Sequence, residues 1–177
     1  MALFARSSLP DDARASLRLA PKDTVLASAQ LVDGSWAVAT RTVLAITTDA
    51  TTTDAAGTPA AARPWCDVDR AGYDPATASI TVEWVDGAAP LVLRLADPRR
   101  TALAQTVRER VQSSVVLAEV VPLGAGRTVK VAVRRDRDGS LFSQVVAGAG
   151  VDLADDRTRA VIDAAEDRVR SMSGLPL

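Results

Sequence analysis

Few residues in this 177-residue chain are of types that do chemistry, and their identities already narrow its function. Histidine is absent, which removes the commonest general base, metal ligand and triad member. Neither a G-x-S-x-G nucleophile elbow nor a Walker phosphate loop occurs. Cys66 is the single cysteine. The chain lacks the base that would activate it, and it reads as a half-buried strand residue. Gly148-Ala149-Gly150 lies between a strand pattern and a helix pattern, but Leu153 stands where a dinucleotide loop needs its third glycine and no strand follows, so a plain loop is the better reading. Asp136-Arg137-Asp138-Gly139 looks like part of a calcium loop, yet Arg134 takes the first ligand position and Val145 the final one, which leaves a hairpin turn. No catalytic residue, cofactor site or metal-ligand set is assigned, and a non-catalytic protein is expected.

What remains is basic. Arg99 and Arg100 fall in the first turn of a helical pattern, where positive charge opposes the helix dipole by about 0.3–1 kcal/mol each. An anion or an acidic partner there would relieve the conflict, and pairing with Asp97 is the plainer alternative. Arg127, Lys130, Arg134, Arg135 and Arg137 follow along a later hairpin, with Lys130 and Arg134 on one face. They form either a solvated strand face that discourages edge pairing or a site for an acidic protein, a phosphate or RNA. Phe142 is the only aromatic nearby, which argues against stacking on single strands. Trp65, beside Pro64 at the start of a strand, is a candidate exposed anchor for a partner, whereas Trp84 alternates with Ile80 and Val82 and belongs to a core.

The whole composition bounds the partners. A net charge of −1 makes no global electrostatic case for nucleic acid or for peripheral contact with an anionic membrane. Hydrophobic residues make up 47% and aromatics 3%, so Ala, Val and Leu must fill the core. Lysine occurs only as Lys22 and Lys130, and asparagine is absent, a bias typical of GC-rich, actinobacterial genomes. One cysteine excludes an intrachain disulfide, no stretch has signal-peptide character and none approaches about 18 consecutive apolar residues. A cytoplasmic protein without a transmembrane segment is expected.

The elements that must position these residues are legible in the patterning. Leu9, Ala13 and Leu17 mark a short helix. Strands are expected over 24–32, 35–40 and 43–48, the first two joined by Asp33-Gly34. The low-complexity stretch 49–63 reads as an excursion. Strands follow over 66–73, 79–85 and 90–95, the last two joined at Asp86-Gly87. Leu103, Val107, Val111 and Val115 recur four apart and predict a helix over 98–119, with Asp97 as its N-cap and Pro98 in its first turn. Beyond Pro122, Val129, Val131 and Val133 alternate with Lys130 and Arg134, Asp138-Gly139 turns the chain into 140–147, and a capped helix spans 156–172. This ββα tail either docks on its own chain or pairs with a second copy, with docking preferred because pairing would oppose the cations of two copies.

Six strands in two runs, an irregular excursion and a closing amphipathic helix resemble the bacterial pleckstrin-homology-like (PH-like) and GRAM-type domains. Val25-Leu26-Ala27, Trp36-Ala37-Val38-Ala39-Thr40, Leu44-Ala45-Ile46, Pro64-Trp65-Cys66-Asp67-Val68 and Arg108-Glu109-Arg110-Val111 look like a family of uncharacterised actinobacterial proteins. The resemblance covers roughly residues 20–121. It implies an α+β fold in which two small antiparallel sheets form a partly open barrel closed by a C-terminal helix, here followed by the ββα tail. The expected organisation is a helical segment over 1–21, a PH-like domain over 22–121 and an extension over 122–177. Phosphoinositide-binding members of the class carry basic residues at the first hairpin. Here that hairpin reads Gln30-Leu31-Val32-Asp33-Gly34-Ser35-Trp36 and has none. The expected role is an interaction module that binds another protein or a second copy of itself, the alternative being a binder of anionic ligands through its arginine clusters.

Overall fold

A computed structural model describes residues 9–21, 23–47 and 62–175. It is an α+β structure of three small antiparallel sheets with three helices. Helix α1 (Asp11–Ser16) leads into β1 (Val25–Gln30), β2 (Trp36–Thr40) and β3 (Val43–Ile46), and a short β4 (Ala62–Pro64) completes a four-stranded sheet in the order β1-β2-β3-β4. Strand β4 was not expected. Most of the 49–63 excursion lies outside the described residues. A single 3-10 turn, Trp65–Asp67, precedes β5 (Val68–Asp74), β6 (Ser79–Trp84) and β7 (Leu91–Arg94), the second sheet. The end of β1 meets the end of β7 through the Leu31–Leu95 bridge, where Val32 N donates to Arg94 O at 3.0 Å and Ala96 N to Gln30 O at 3.0 Å.

Helix α2 (Ala102–Ser114) lies on both of these sheets, touching β1, β2, β5 and the 3-10 turn. Leu103, Val107 and Val111 enter a core shared with Leu44, Trp65, Val68, Ile80, Val82 and Leu93. Three residues of the expected apolar stripe are therefore buried, whereas the fourth, Val115, is half-buried and lies outside the helix. Its bounds are not those expected. Asp97 caps the turn before the helix, accepting from Arg99 N at 3.0 Å, and the helical hydrogen bonds begin only at Thr101. At the other end Ser113 Oγ and Ser114 Oγ donate back to the carbonyls of Arg110 and Val111, competing with continuation of the helix. Residues 115–124 are a strand, β8 (Val115–Gly124), because β-branched residues crowd a helix but suit a pleated sheet, and here burial alternates along them.

Strand β8 pairs with β9 (Arg127–Arg135), which pairs with β10 (Leu141–Ala147). The tail is thus a three-stranded sheet rather than a lone hairpin. Helix α3 (Asp156–Ser173) covers one face, burying Ile162, Ala165 and Val169 against Val121, Val129, Val131 and Val133. Asp155 accepts from Thr158 N at 2.8 Å as its N-cap, as expected. Gly148 is required by close approach: an added Cβ would lie 2.5 Å from Thr128 O, to which Gly148 N donates. The other face of this sheet docks within the chain, on β5 and the 3-10 turn, through contacts of Lys130, Arg134 and Gln144. No helix among the described residues is long and apolar enough to cross a membrane.

Candidate functional site

Three elements bring their polar ends together where the third sheet meets the rest of the chain. The first is the β2–β3 turn, held by Asp23: its carboxylate accepts from Thr40 Oγ1 at 2.6 Å, Thr42 Oγ1 at 2.7 Å and Thr42 N at 3.2 Å. Arg41, between the two threonines, donates its backbone N–H to Thr24 O at 3.0 Å, and its side chain is exposed. The second is the C-terminal half of α2, which offers Arg110 and Ser113. The third is the β9–β10 turn, Arg135 to Gly139. Asp136 N donates to Ser140 O at 2.8 Å, Asp136 Oδ1 accepts from Arg137 N at 2.6 Å, and Asp138 Oδ1 accepts from Ser140 N at 2.8 Å. Gly139 sits at φ 92°, which costs any residue with a Cβ.

Between these elements lies an open cleft of about 320 Å³, lined by Arg41, Arg110, Arg135 and Arg137 with Trp65 and Cys66 among its wall residues. None of the four arginines forms an ion pair among the described residues. Arg135 Nη1 makes only a 3.4 Å contact to Gly139 O. The negative end of α2 is covered, because the carbonyls of residues 110–112 accept from Ser113 Oγ, Ser114 Oγ and Val115 N. The carboxylates present are Asp136 and Asp138. The Asp138 carboxyl is held below its ordinary range by its hydrogen bonds from Ser140. Cys66 stays a neutral thiol: burial pushes it up first, and Asp67 and Asp136 add to the rise.

The remaining basic residues singled out in the sequence are elsewhere. Arg134 is fully buried, not on a solvated strand face. Its Nη1 donates to Val68 O at 2.8 Å and Ser114 Oγ at 3.2 Å and reaches Trp65 O at 3.5 Å, supporting the cleft wall from behind. Its Nε and Nη2 have no hydrogen-bond partner, and burial pulls it below the usual guanidinium value. Lys130 pairs with Asp69 at 2.6 Å. Both residues lie on the sheet face that docks on the 3-10 turn and β5, which is why neither faces solvent freely. Arg99 and Arg100 belong to the turn before α2, at the end far from the cleft, and Arg100 pairs with Asp97 at 3.5 Å. Trp65 is not an exposed anchor. It is 5% exposed and donates Nε1 to Thr40 O at 3.1 Å.

Only Arg135 and Arg137 of the expected set reach the cleft. Arg41 and Arg110 were missed; a strand-joining turn of two polar residues, Arg41-Thr42, was the available signal for the first. A second groove of about 380 Å³ lies between α2 and β5, bounded by Asp69, Val111 and Val115. Its Arg70 is taken by Glu83 at 2.6 Å. Among the described residues no group of three His, Cys, Asp or Glu side chains is placed to hold a metal ion. No family model matches the chain, and no curated protein and no solved structure shows significant similarity to it.

Proposed function

We propose that this protein is a non-catalytic binding module for anionic ligands and that the arginine-lined cleft is its site. One observation carries the reading: four arginines from three separate elements line one cleft and none of them forms an ion pair among the described residues, in a chain whose net charge is −1. Cations that share a cleft without ion-pair partners repel one another, and an anion relieves that repulsion while accepting charge-assisted hydrogen bonds. The four-stranded and three-stranded sheets, their junction at Leu31–Leu95 and the helix laid over both support a pleckstrin-like reading of residues 22–121, as a partly open barrel. On that reading the third sheet is an extension that supplies one wall of the site. A lone cysteine suits a reducing cytosol. The test is calorimetric titration of inorganic phosphate at low and high salt. Binding should weaken with added salt and fall on Arg110→Gln or Arg137→Gln; salt-independent binding, or binding unaffected by both variants, would refute the site.

A protein partner, or a second copy of the chain, is the second reading. It is favoured by β8, a ten-residue edge strand with Val116 and Val120 exposed by 40% and 62%. Pro122 and irregular register at both ends of β8 protect that edge from pairing, which ranks this reading below the first. A dimer in light scattering that dissociates on Val120→Asp would restore it.

A further inference from the structure

We infer that the group recognised by the cleft is a doubly charged phosphate monoester. The inference rests on the anion-binding reading and concerns which anion fits. Four arginines against Asp136 and Asp138 leave a surplus of two positive charges in the cleft. Both carboxylates are built into the β9–β10 turn by their backbone hydrogen bonds, so they are a fixed part of the site's charge and not mobile competitors. Cys66 adds none, since burial keeps its thiol protonated. A phosphate monoester carries about −1.5 to −2 charges at pH 7 and three strong acceptor oxygens. A carboxylate or a phosphodiester brings one charge and leaves the other positive charge unmatched.

Shape points the same way. Arg41 lines the cleft from the β2–β3 turn, Arg110 from α2, and Arg135 and Arg137 from the β9–β10 turn. Donors arriving from three elements suit the three terminal oxygens of a tetrahedral ester better than the two oxygens of a planar carboxylate. Each phosphodiester of a nucleic-acid backbone presents only two terminal oxygens. The cleft volume of about 320 Å³ leaves room for an organic portion beside the phosphoryl group. That portion belongs either to a phosphorylated metabolite or to a phosphoserine in a protein segment, and the phosphoryl chemistry is common to both.

The experiment titrates the full chain with glycerol 3-phosphate, a phosphoserine hexapeptide, dimethyl phosphate and sulfate, at pH 7.5 and pH 5.0. The monoesters should bind about tenfold more tightly than dimethyl phosphate at pH 7.5, and lose roughly tenfold at pH 5.0, below their second pKa near 6. Sulfate should change little between the two, because it stays doubly charged over that range. Arg41→Gln, Arg110→Gln and Arg137→Gln should each weaken monoester binding while circular dichroism stays unchanged. A tighter peptide identifies a protein source and equal or tighter glycerol phosphate a small molecule, and either supports the inference. Equal affinity for monoester and diester, or monoester binding indifferent to pH, overturns it but leaves an anion site in place. Failure of every anion to bind, sulfate included, overturns the anion-binding reading as well.

Discussion

Replacing Asp69 by Asn should loosen the hold of the third sheet on the rest of the chain. This carboxylate faces two cations of β9: Lys130 Nζ lies 2.6 Å from it, and the buried Arg134 guanidinium is stabilised by its charge. The Lys130 and Asp69 side chains are 27% and 21% exposed, between a surface pair worth under about 1 kcal/mol and a buried one whose rupture costs about 3–5 kcal/mol. A loss of about 2 kcal/mol is expected on that scale. In urea, with a slope of about 2 kcal/mol/M, the unfolding midpoint should fall by about 1 M. Arg134→Met is the informative second variant. It orphans Val68 O, costing about 1–3 kcal/mol, but removes a buried guanidinium two of whose nitrogens lack partners. These effects oppose, so Arg134→Met alone should stay within about 1 kcal/mol of wild type and should rescue part of the Asp69→Asn loss. An Asp69→Asn midpoint equal to wild type, or strictly additive losses in the double variant, would refute the reasoning.

Val107→Asp should abolish cooperative unfolding, since Val107 is fully buried between two sheets and an unpaired carboxylate there costs more than about 4 kcal/mol; a retained sigmoidal melt would contradict the packing of α2. Asp155→Ala should lower the melting temperature at neutral pH. The Asp155 carboxyl is held below its ordinary range, first by the backbone hydrogen bond from Thr158, so the stability it contributes is present above about pH 4 and is lost as pH falls through the lower folded value. The gap between wild type and variant should therefore close on acidification, and a gap that widened would reverse the sign. Cys66 should be alkylated by iodoacetamide at neutral pH more slowly than a free thiol, because it is 5% exposed and its thiol is held protonated; mass spectrometry showing equal rates would count against that environment.

Local pattern and turn chemistry reached most of the fold. Ile80 and Val82 are buried on either side of the half-buried Thr81, Asp33-Gly34 and Asp138-Gly139 sit at turns, and Leu103, Val107 and Val111 form the buried stripe. Val115 shows where such reading stops. It continues the four-residue spacing of α2, yet it also begins the alternation of β8, and only pairing with Arg134 across the sheet decides between them. Faces were separable in β9 but their environments were not. Alternation sets Lys130 and Arg134 opposite Val129, Val131 and Val133, and says nothing of what covers the charged side. That cover comes from Asp69 and Val68, more than 60 residues earlier. The cleft was harder still, because Arg41, Arg110 and Arg135 come from elements with no local relation. Docking of the third sheet creates the site.

The most direct test of the anion site is a map of backbone amide shifts in nitrogen-15-labelled protein as inorganic phosphate is added at pH 7.5. Saturable changes should concentrate at residues 41–42, 110–114 and 135–139, the three segments that line the cleft. Changes confined to Arg99 and Arg100, or no saturable change anywhere, would contradict the account.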